Sequence, residues 1–279
     1  MERLIKLTSV FIILAFIFSS CQKLERPVLS KLIEDANPPN GPLRFYAAMN
    51  GSGTDQLRNA VDSIRANFPS VNDLTSIDGI SGKAMQGVDG KSIVYASAND
   101  MNKATSFTIA FWMKNTDEGR TEFVFSLVDD KYGWHHSAIF LLLEHGNTTA
   151  TTLKLGLMDQ WLEWPDANKF PKPLLDGNWH HIAFVYDENT SKLTYYFDGS
   201  VVTGAPAGAT DVKNGSNPRG ALDLKSANKL ILGGWNKHGG AQGPQDDWIK
   251  SYKGGLDQFR MYNKALSASE IQALFTNKL

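Results

Sequence analysis

Between residues 176 and 199 the chain carries two runs in which aromatic and β-branched side chains recur at alternate positions. In an extended strand successive side chains point to opposite faces, so this pattern fits a sheet with two different faces. Asp198-Gly199 follows the second run, and an Asp-Gly pair in this position is typical of a tight hairpin turn. Residues 178–187 and 192–197 are therefore predicted as neighbouring antiparallel strands.

Similar short runs recur along most of the chain and are separated by Gly- and Asn-containing turns. They predict further strands at residues 43–49, 91–96, 106–114, 122–128, 137–144, 152–158, 229–233 and 255–262. Apolar residues at helical spacing predict an amphipathic helix over residues 54–68, and Ser267 with Glu270 forms a capping box for a C-terminal helix. The fold class is thus all-β, a two-sheet antiparallel sandwich with one or two short peripheral helices.

Residues 176–199 and 255–275, taken in order, resemble the laminin-G-like, concanavalin A-type domains of bacterial surface proteins. The resemblance implies a jelly roll over residues 43–279. It also implies binding of glycans or other surface polymers rather than their turnover. Trp112 and Trp179 lie on strands of the resembling framework, so we expect them to be core residues.

The N-terminal residues predict export and lipid anchoring. Arg3 and Lys6 precede an apolar stretch that is too short to span a membrane, which is typical of a signal peptide at residues 1–20. Phe18-Ser-Ser-Cys21 resembles the cleavage box of bacterial lipoproteins, and Cys21 is the only cysteine. An ordinary secretory leader is the alternative. Residues 21–42, with Pro38-Pro39 and Gly41-Pro42, are predicted to be a tether.

Charge and motifs argue against several classes of function. The formal net charge is −1, so the sequence has no electrostatic footprint for nucleic acid. No Gly-x-Ser-x-Gly elbow or phosphate loop is present, and no Glu is followed two residues later by Asp, as the carboxylate motif of laminarinase-type glucanases requires. We therefore predict that the protein is not an enzyme.

Tryptophan is the main indication of a binding site. Five of the seven tryptophans lie in or beside polar, Gly- or Pro-rich segments: Trp134, Trp161, Trp164, Trp235 and Trp248. Aromatic rings stack on the C–H faces of sugars while neighbouring polar groups bind the hydroxyls. We predict a glycan site whose members are Trp161, Trp164, Trp235, Asn236, His238 and Asp159. The alternative is that these tryptophans only fix long loops.

A structural calcium ion is implied by the resemblance. Related domains often hold calcium between the end of the first strand and the closing strand, and the matching positions here are Asn50 and Asp257. Calcium takes several oxygen ligands, which these side chains offer. Asn50 stands where relatives often have Asp, which lowers the charge of the site.

These observations together predict a non-catalytic, glycan-binding lipoprotein of the outer membrane, of the Bacteroides type. It would bind a polysaccharide or glycoconjugate at the cell surface or the periplasmic face. One alternative is a protein-interaction or structural module of the cell envelope, with envelope proteins as partners. The other is a divergent glycoside hydrolase, for which two close carboxylates in a cleft would be required.

Overall fold

The structure is a computed structural model and describes residues 41–68, 74–116 and 119–278. The predicted signal peptide, most of the predicted tether and Cys21 lie outside these ranges. No helix in the described part of the chain is long and apolar enough to cross a membrane.

The β-strands are β1 Leu43–Ala47, β2 Thr75–Asp78, β3 Lys83–Gln86, β4 Ile93–Tyr95, β5 Phe107–Thr116, β6 Glu122–Val128, β7 Ser137–Gly146, β8 Thr151–Leu157, β9 Gln160–Trp164, β10 Asp176–Asp187, β11 Lys192–Phe197, β12 Ser200–Val201, β13 Lys213–Asn214, β14 Asn217–Pro218, β15 Leu230–Leu232, β16 Lys250–Ser251 and β17 Gly255–Tyr262.

Two large sheets pack face to face, as the sequence predicts. The first sheet has the order β12-β11-β10-β5-β17-β3-β2, and β1 also pairs with β17. The second sheet has the order β4-β15-β6-β7-β8-β9, and the short β16 runs parallel to β6. All other pairs within the two sheets are antiparallel, which makes the fold a jelly-roll sandwich.

Alternation along the strands decides which side chains enter the core. On β5, Phe107, Ile109, Phe111 and Met113 all belong to the main core cluster, whereas Ala110 belongs to a separate cluster on the other face. The ring of Phe111 stacks on Phe259 of β17 with centroids 5.3 Å apart. The period-2 pattern of the sequence therefore gives the correct faces of this strand.

Two α-helices complete the described chain, α1 at Ala207–Thr210 and α2 at Ala268–Asn277, with short 3-10 helices at Asn99–Lys103, Asp166–Asn168 and Asn236–Gly239. The predicted capping box of α2 is confirmed: Ser267 accepts from the backbone of Glu270, whose carboxylate accepts from Ser267 N. Ile271 of α2 packs against the outer face of the first sheet. This helix therefore covers part of that face.

The prediction that Trp112 is a buried core residue is confirmed, whereas the same prediction for Trp179 is wrong. Trp112 is buried, but it lies on the outer face of the first sheet and stacks on Phe275 of α2 at 5.5 Å. Trp179 is only half-buried and its ring lies over Gly255, where a Cβ would clash with it. Both belong to the side of β5 and β10 that faces away from the sandwich interior.

The predicted helix over residues 54–68 is wrong. This segment forms turns that pair with the edge strand β1: Ala60 N donates to Tyr46 O at 2.7 Å. The side chain of Asn59 accepts from Tyr46 N and from Val61 N, and Ser63 has a positive φ of 63°. A free strand edge and a local Asn side chain thus satisfy backbone groups that a helix would have used.

Candidate functional site

The outer face of the second sheet carries a continuous row of residues, which we call the outer row. Pairing registers place its members side by side across six strands: Val94, Ile231, Ser126, Phe140, Gly156 and Trp161. Adjacent strands lie about 4.8 Å apart, so the row is about 24 Å long. Gly156 is required at its position because a Cβ there would overlap the ring of Phe140.

A cluster of aromatic rings lies on the middle of this row, and we call it the aromatic cluster. Trp235 stacks on Phe123 of β6 with centroids 4.1 Å apart and planes 5° apart. It also lies 5.2 Å from Phe140 of β7. Its indole N–H donates to Ser137 Oγ at 3.0 Å, and the residue is 0% exposed. Trp235 is therefore the fixed base of the cluster.

Two further tryptophans form the solvent side of the aromatic cluster. Trp134 packs edge-on to Trp235 at 5.6 Å, and Trp248 lies 6.4 Å from Trp134 with nearly parallel planes. They expose 53% and 46% of their surface, and with Val201 they are the large hydrophobic side chains that are exposed in the described chain. Both lie in the polar, Gly- or Pro-rich segments of the sequence but outside the predicted glycan site. Trp134 and Trp248 differ from the other loop tryptophans only in the direction of their side chains, which point to solvent.

Strand β9 separates the two tryptophans that the sequence treats as a pair. Residues 160–164 form a strand, so their side chains point alternately to the two faces of the sheet. Leu162 and Trp164 point into the main core, where Trp164 is 0% exposed and packs edge-on to Tyr195 at 5.5 Å. Trp161 points outward, is half-buried and packs edge-on to Phe140 at 5.0 Å. The assignment of Trp164 to a glycan site is wrong because its ring is enclosed.

The prediction that Asn236 binds ligand is also wrong, because its side chain is fully used inside the protein. Its Oδ1 accepts from Ser126 Oγ and Ser137 Oγ at 2.8 and 3.1 Å. Its Nδ2 donates to the carbonyls of His136 and Gln242 at 2.7 and 2.8 Å. Asn236 therefore joins the β6–β7 loop, the β15–β16 loop and strands β6 and β7 beneath the aromatic cluster. Likewise, Trp235 supports this surface and has no exposed face for a sugar.

His238 and Asp159 stand at the borders of the site. Trp235 N donates to His238 Nδ1 at 3.0 Å. Burial, with the nearby charge of Lys237, lowers the pKa of His238 to about 4, so the imidazole is neutral near pH 7. Asp159 is exposed and forms an ion pair with Arg219. Neither residue belongs to the aromatic cluster itself.

A charged group lies on the outer face beside the outer row, with Lys154 and Glu163 two residues along their strands from Gly156 and Trp161. Lys154 of β8 contacts Glu144 of β7 at 2.9 Å and Glu163 of β9 at 3.8 Å. Glu163 and Lys154 are direct cross-strand partners on the outer face. One ammonium group thus lies between two carboxylates, and all three side chains are partly exposed beside the aromatic cluster.

The predicted calcium residues both face one tight turn, residues 79–82. Asp257 is buried, its Oδ2 accepts from Ile80 N at 2.8 Å, and its Oδ1 has no hydrogen-bond partner among the described residues. Burial raises its pKa to about 7. Asn50 Oδ1 lies on the same turn, 3.3 Å from where a Cβ of Gly82 would be. The buried, unpartnered carboxylate oxygen fits a cation, although no group of three or more His, Cys, Asp or Glu in the described chain forms a metal site.

The two adjacent histidines of β10 have separate structural roles. His180 lies between two carboxylates: Nδ1 is 2.9 Å from Asp198 Oδ2 and Nε2 is 3.1 Å from Asp176 Oδ1. Burial alone would lower the pKa of His180, but these two carboxylates raise it. His181 points to the opposite face, is 0% exposed and packs on Trp112 at 5.3 Å. Burial lowers the pKa of His181 to about 3.

Comparison with known families decides where the chain belongs. Residues 88–272 match the laminin-G-like family model described as concanavalin A-like lectin/glucanases superfamily. The chain belongs to this superfamily. The matched range begins just before β4 and ends within α2, so it includes the outer row and the aromatic cluster. A comparison with curated proteins found no match.

Solved structures of this superfamily's architecture share the fold at low sequence identity. Domain 4 of the arabinanase AbnA from Geobacillus stearothermophilus, solved with arabinotriose, has a TM-score of 0.54 and 17% identity, over 83% of this chain and 97% of that domain. The binding domain of Paraclostridial mosquitocidal protein 1 has a TM-score of 0.52 and 15% identity, over 85% of this chain and 52% of that one. Trypanosoma rangeli sialidase has a TM-score of 0.51 and 15% identity, over 85% of this chain and 33% of the sialidase.

Proposed function

We propose that this protein binds glycans on the outer face of its second sheet, at the aromatic cluster. The observation that carries the proposal is the exposed pair Trp134 and Trp248, which rest on the buried rings of Trp235 and Phe123. Exposed tryptophans are costly to hydrate, and their flat rings match the C–H faces of sugars. Because Trp235 and Phe123 hold these two side chains from below, little conformational entropy is lost when a sugar ring stacks on them.

Polar groups beside the cluster suit the hydroxyls of the same ligand. Glu163 lies two residues along β9 from Trp161, and with Lys154 and Glu144 it supplies both donors and acceptors. The arabinanase domain with the same fold was solved in complex with an oligosaccharide, which supports a sugar as the class of ligand. We therefore prefer a glycan to a protein partner, for which exposed tryptophans would also serve as anchors.

We further propose that the protein is not catalytic. Glu144 and Glu163 are two carboxylates on the outer face of the second sheet, and Lys154 contacts both. A glycosidase needs one carboxyl group as a proton donor and a second one facing the scissile bond. An ammonium group between the two carboxylates favours a binding role for all three residues.

A calcium ion is proposed as a structural component. Asp257 and Asn50 would hold the ion through their side-chain oxygens at the turn formed by residues 79–82. Calcium would supply a positive charge beside Asp257 Oδ1, the buried carboxylate oxygen that has no hydrogen-bond partner among the described residues.

We also propose that Cys21 is lipidated and anchors the protein in the outer membrane, with the tether between lipid and sandwich.

A glycan array followed by titration tests the proposed function. We expect the protein to bind at least one oligosaccharide, and Trp134→Ala with Trp248→Ala to abolish that binding while the fold is retained. Incubation of the bound oligosaccharide with the protein should release no shorter product. Binding that survives the double substitution would place the glycan site elsewhere, and retention of an envelope protein instead of glycan would favour the protein-interaction alternative.

A further inference from the structure

The outer face of the second sheet carries accessible side chains on β7, β8 and β9 besides the exposed tryptophans. Trp161 and Glu163 lie two residues apart on β9 and both point outward, and Glu163 pairs across strands with Lys154 of β8. Trp161 is half-buried, and the side chain of Glu163 is 38% exposed. Glu144 of β7 joins them through its ion pair with Lys154 at 2.9 Å. We call these four residues the β9 group.

The β9 group and the exposed tryptophans border the same set of buried side chains. This set consists of Phe123, Phe140, Leu142, Trp235 and Ile249. Trp161 packs against it from β9. Trp248 directly precedes Ile249 and lies 6.0 Å from Phe123 of β6. An extended ligand can therefore pass from the exposed tryptophans to the β9 group along one face of the sheet.

The two areas are too far apart for one sugar ring. The pairing registers place Phe123, Leu142, Lys154 and Glu163 side by side on β6, β7, β8 and β9. Three strand spacings, about 14 Å, separate Glu163 from Phe123, on which Trp248 rests. A single sugar ring is shorter than this distance, whereas an extended oligosaccharide spans it. The face therefore suits a chain of several sugar units.

The β9 group offers hydrogen-bonding positions that its ion pairs hold in place. Lys154 contacts Glu144 at 2.9 Å and Glu163 at 3.8 Å, and neither carboxylate has another hydrogen-bond or ion-pair partner among the described residues. Both carboxylates therefore keep acceptor positions for sugar hydroxyls, and the ammonium group has three donors for two carboxylates. Because the ion pairs order these side chains before a ligand arrives, little conformational entropy is lost on binding.

The charge of the β9 group disfavours an acidic sugar. Two carboxylates and one ammonium group leave one negative charge unbalanced. Thr152, two residues before Lys154 on β8, donates to Asp166 Oδ1 at 2.7 Å, and Lys169 balances that carboxylate at 3.6 Å. An acidic sugar unit at the β9 group would therefore meet a charge of its own sign, which opposes binding.

We propose that this face binds one extended, neutral oligosaccharide segment, with one part stacked on Trp134 and Trp248 and another part at the β9 group. The inference rests on the proposed function and deepens it, because it names a neutral glycan chain of several units as the class of ligand. At the β9 group the carboxylates accept hydrogen bonds from sugar hydroxyls, the ammonium group donates to a sugar oxygen, and the indole contacts the ring.

Titration with oligosaccharides of graded length tests the inference. The probes are arabino-, xylo-, cello- and manno-oligosaccharides of one to six units, with oligogalacturonates of the same lengths. We expect affinity for at least one neutral series to rise about tenfold or more with length and then to level off, because added units reach charged hydrogen-bonding groups. Oligogalacturonates of equal length should bind more weakly, and added salt should narrow this difference.

Two variants and a control locate the second contact area. Trp161→Ala and Glu163→Gln should each lower affinity for the longest probe of the preferred series by up to about tenfold, while its short members bind as before. Unchanged binding of the short members also shows that each variant is folded. Asp100→Asn is the matched control and should change nothing: its carboxylate likewise contacts a lysine, Lys103 at 2.9 Å, but it lies on the 3-10 helix beside β1.

The preference for neutral chains has its own variant. Glu144→Gln with Glu163→Gln leaves Lys154 without both carboxylates, so it should abolish the difference between neutral probes and oligogalacturonates.

The outcomes separate the inference from the proposed function. Affinity that does not change with length overturns the inference and leaves the stacking site intact. A length dependence that survives both Trp161→Ala and Glu163→Gln also overturns it, because the second contact area then lies elsewhere. Oligogalacturonates that bind as tightly as neutral probes overturn the neutral class of ligand. Failure of every probe to bind overturns the inference, while the glycan array with the Trp134 and Trp248 variants decides the proposed function separately.

Discussion

The rings of Trp235 and Phe123 lie face to face, with centroids 4.1 Å apart and planes within 5° of parallel. This contact joins the loop after β15 to strand β6, and Trp134 and Trp248 rest on it. Buried and exposed aromatic rings therefore form one stack on the outer face of the second sheet. We therefore expect the lower, buried rings of Trp235 and Phe123 to contribute to stability, and the upper, exposed rings of Trp134 and Trp248 to bind ligand.

Substitution of an upper ring should impair binding and spare the fold. Trp248→Ala is expected to weaken binding of an array-identified glycan by about 1–3 kcal/mol, the usual cost of losing an aromatic anchor. The free energy of unfolding should change by less than about 1 kcal/mol because Trp248 is 46% exposed. Calorimetric titration and urea denaturation measure the two effects. Trp161→Ala should also reduce affinity, and an unchanged affinity in both variants would contradict the site.

Substitution of an enclosed ring should do the reverse. Trp235→Ala and Trp164→Ala each remove a side chain that is 0% exposed, so we expect each to lower the free energy of unfolding by about 3–5 kcal/mol. Binding should then be lost from the Trp235 variant, whose upper rings lose their base, and kept by the folded Trp164 variant. Urea denaturation followed by titration below the transition checks this. Stability equal to that of the wild type would mean that these rings are not enclosed.

Calcium should stabilise the protein through Asp257. An ion that binds only the folded state raises the melting temperature by mass action. Asp257→Ala should abolish the difference between calcium and chelator, and Asn50→Ala should reduce it. Asp187→Ala, at the partly exposed last residue of β10 in a different part of the fold, is the control and should leave the difference unchanged. A melting temperature that is the same in calcium and chelator for the wild type would remove the calcium proposal.

His180 should make stability depend on pH above neutrality. Its folded pKa is raised by Asp198 and Asp176 against the opposing effect of burial, whereas the unfolded value is about 6.5. The folded state thus binds more protons in this window, so this stabilisation is complete below about pH 6.5 and is lost as pH rises through the raised folded pKa. Urea denaturation from pH 6 to 9 should show a steeper decline for the wild type than for His180→Gln. Parallel curves would show that the pair of carboxylates does not act on His180.

Lipid anchoring should depend on Cys21. Metabolic labelling with a tagged fatty acid is expected to label the wild-type protein and to leave Cys21→Ser unlabelled, because the thiol is the attachment point that the cleavage box requires. The variant should also accumulate as the unprocessed precursor. Equal labelling of both proteins would contradict the prediction and favour an ordinary secretory leader.

Local patterns in the chain account for most of the strands. Strands β6 and β11 begin and end at the residues that the sequence predicts. The two faces of β5 follow from the strict alternation of its side chains. The capping box of α2 is equally local, since Ser267 and Glu270 are three residues apart. Such signals need only a few neighbouring residues, which is why they can be identified without knowledge of the fold.

Which tryptophans face solvent depends instead on residues far apart in the chain. Trp161 and Trp164 have nearly the same sequence surroundings, yet only the pairing of β9 with β8 turns one outward and the other into the core. Trp235 is buried because Phe123, more than a hundred residues earlier in the chain, lies beneath it. Residues 54–68 form turns instead of a helix because their backbone groups pair with the free edge of β1. The alternation of side chains specifies a strand and its two faces, but exposure depends on what packs against each face, and that is set by contacts between distant parts of the chain.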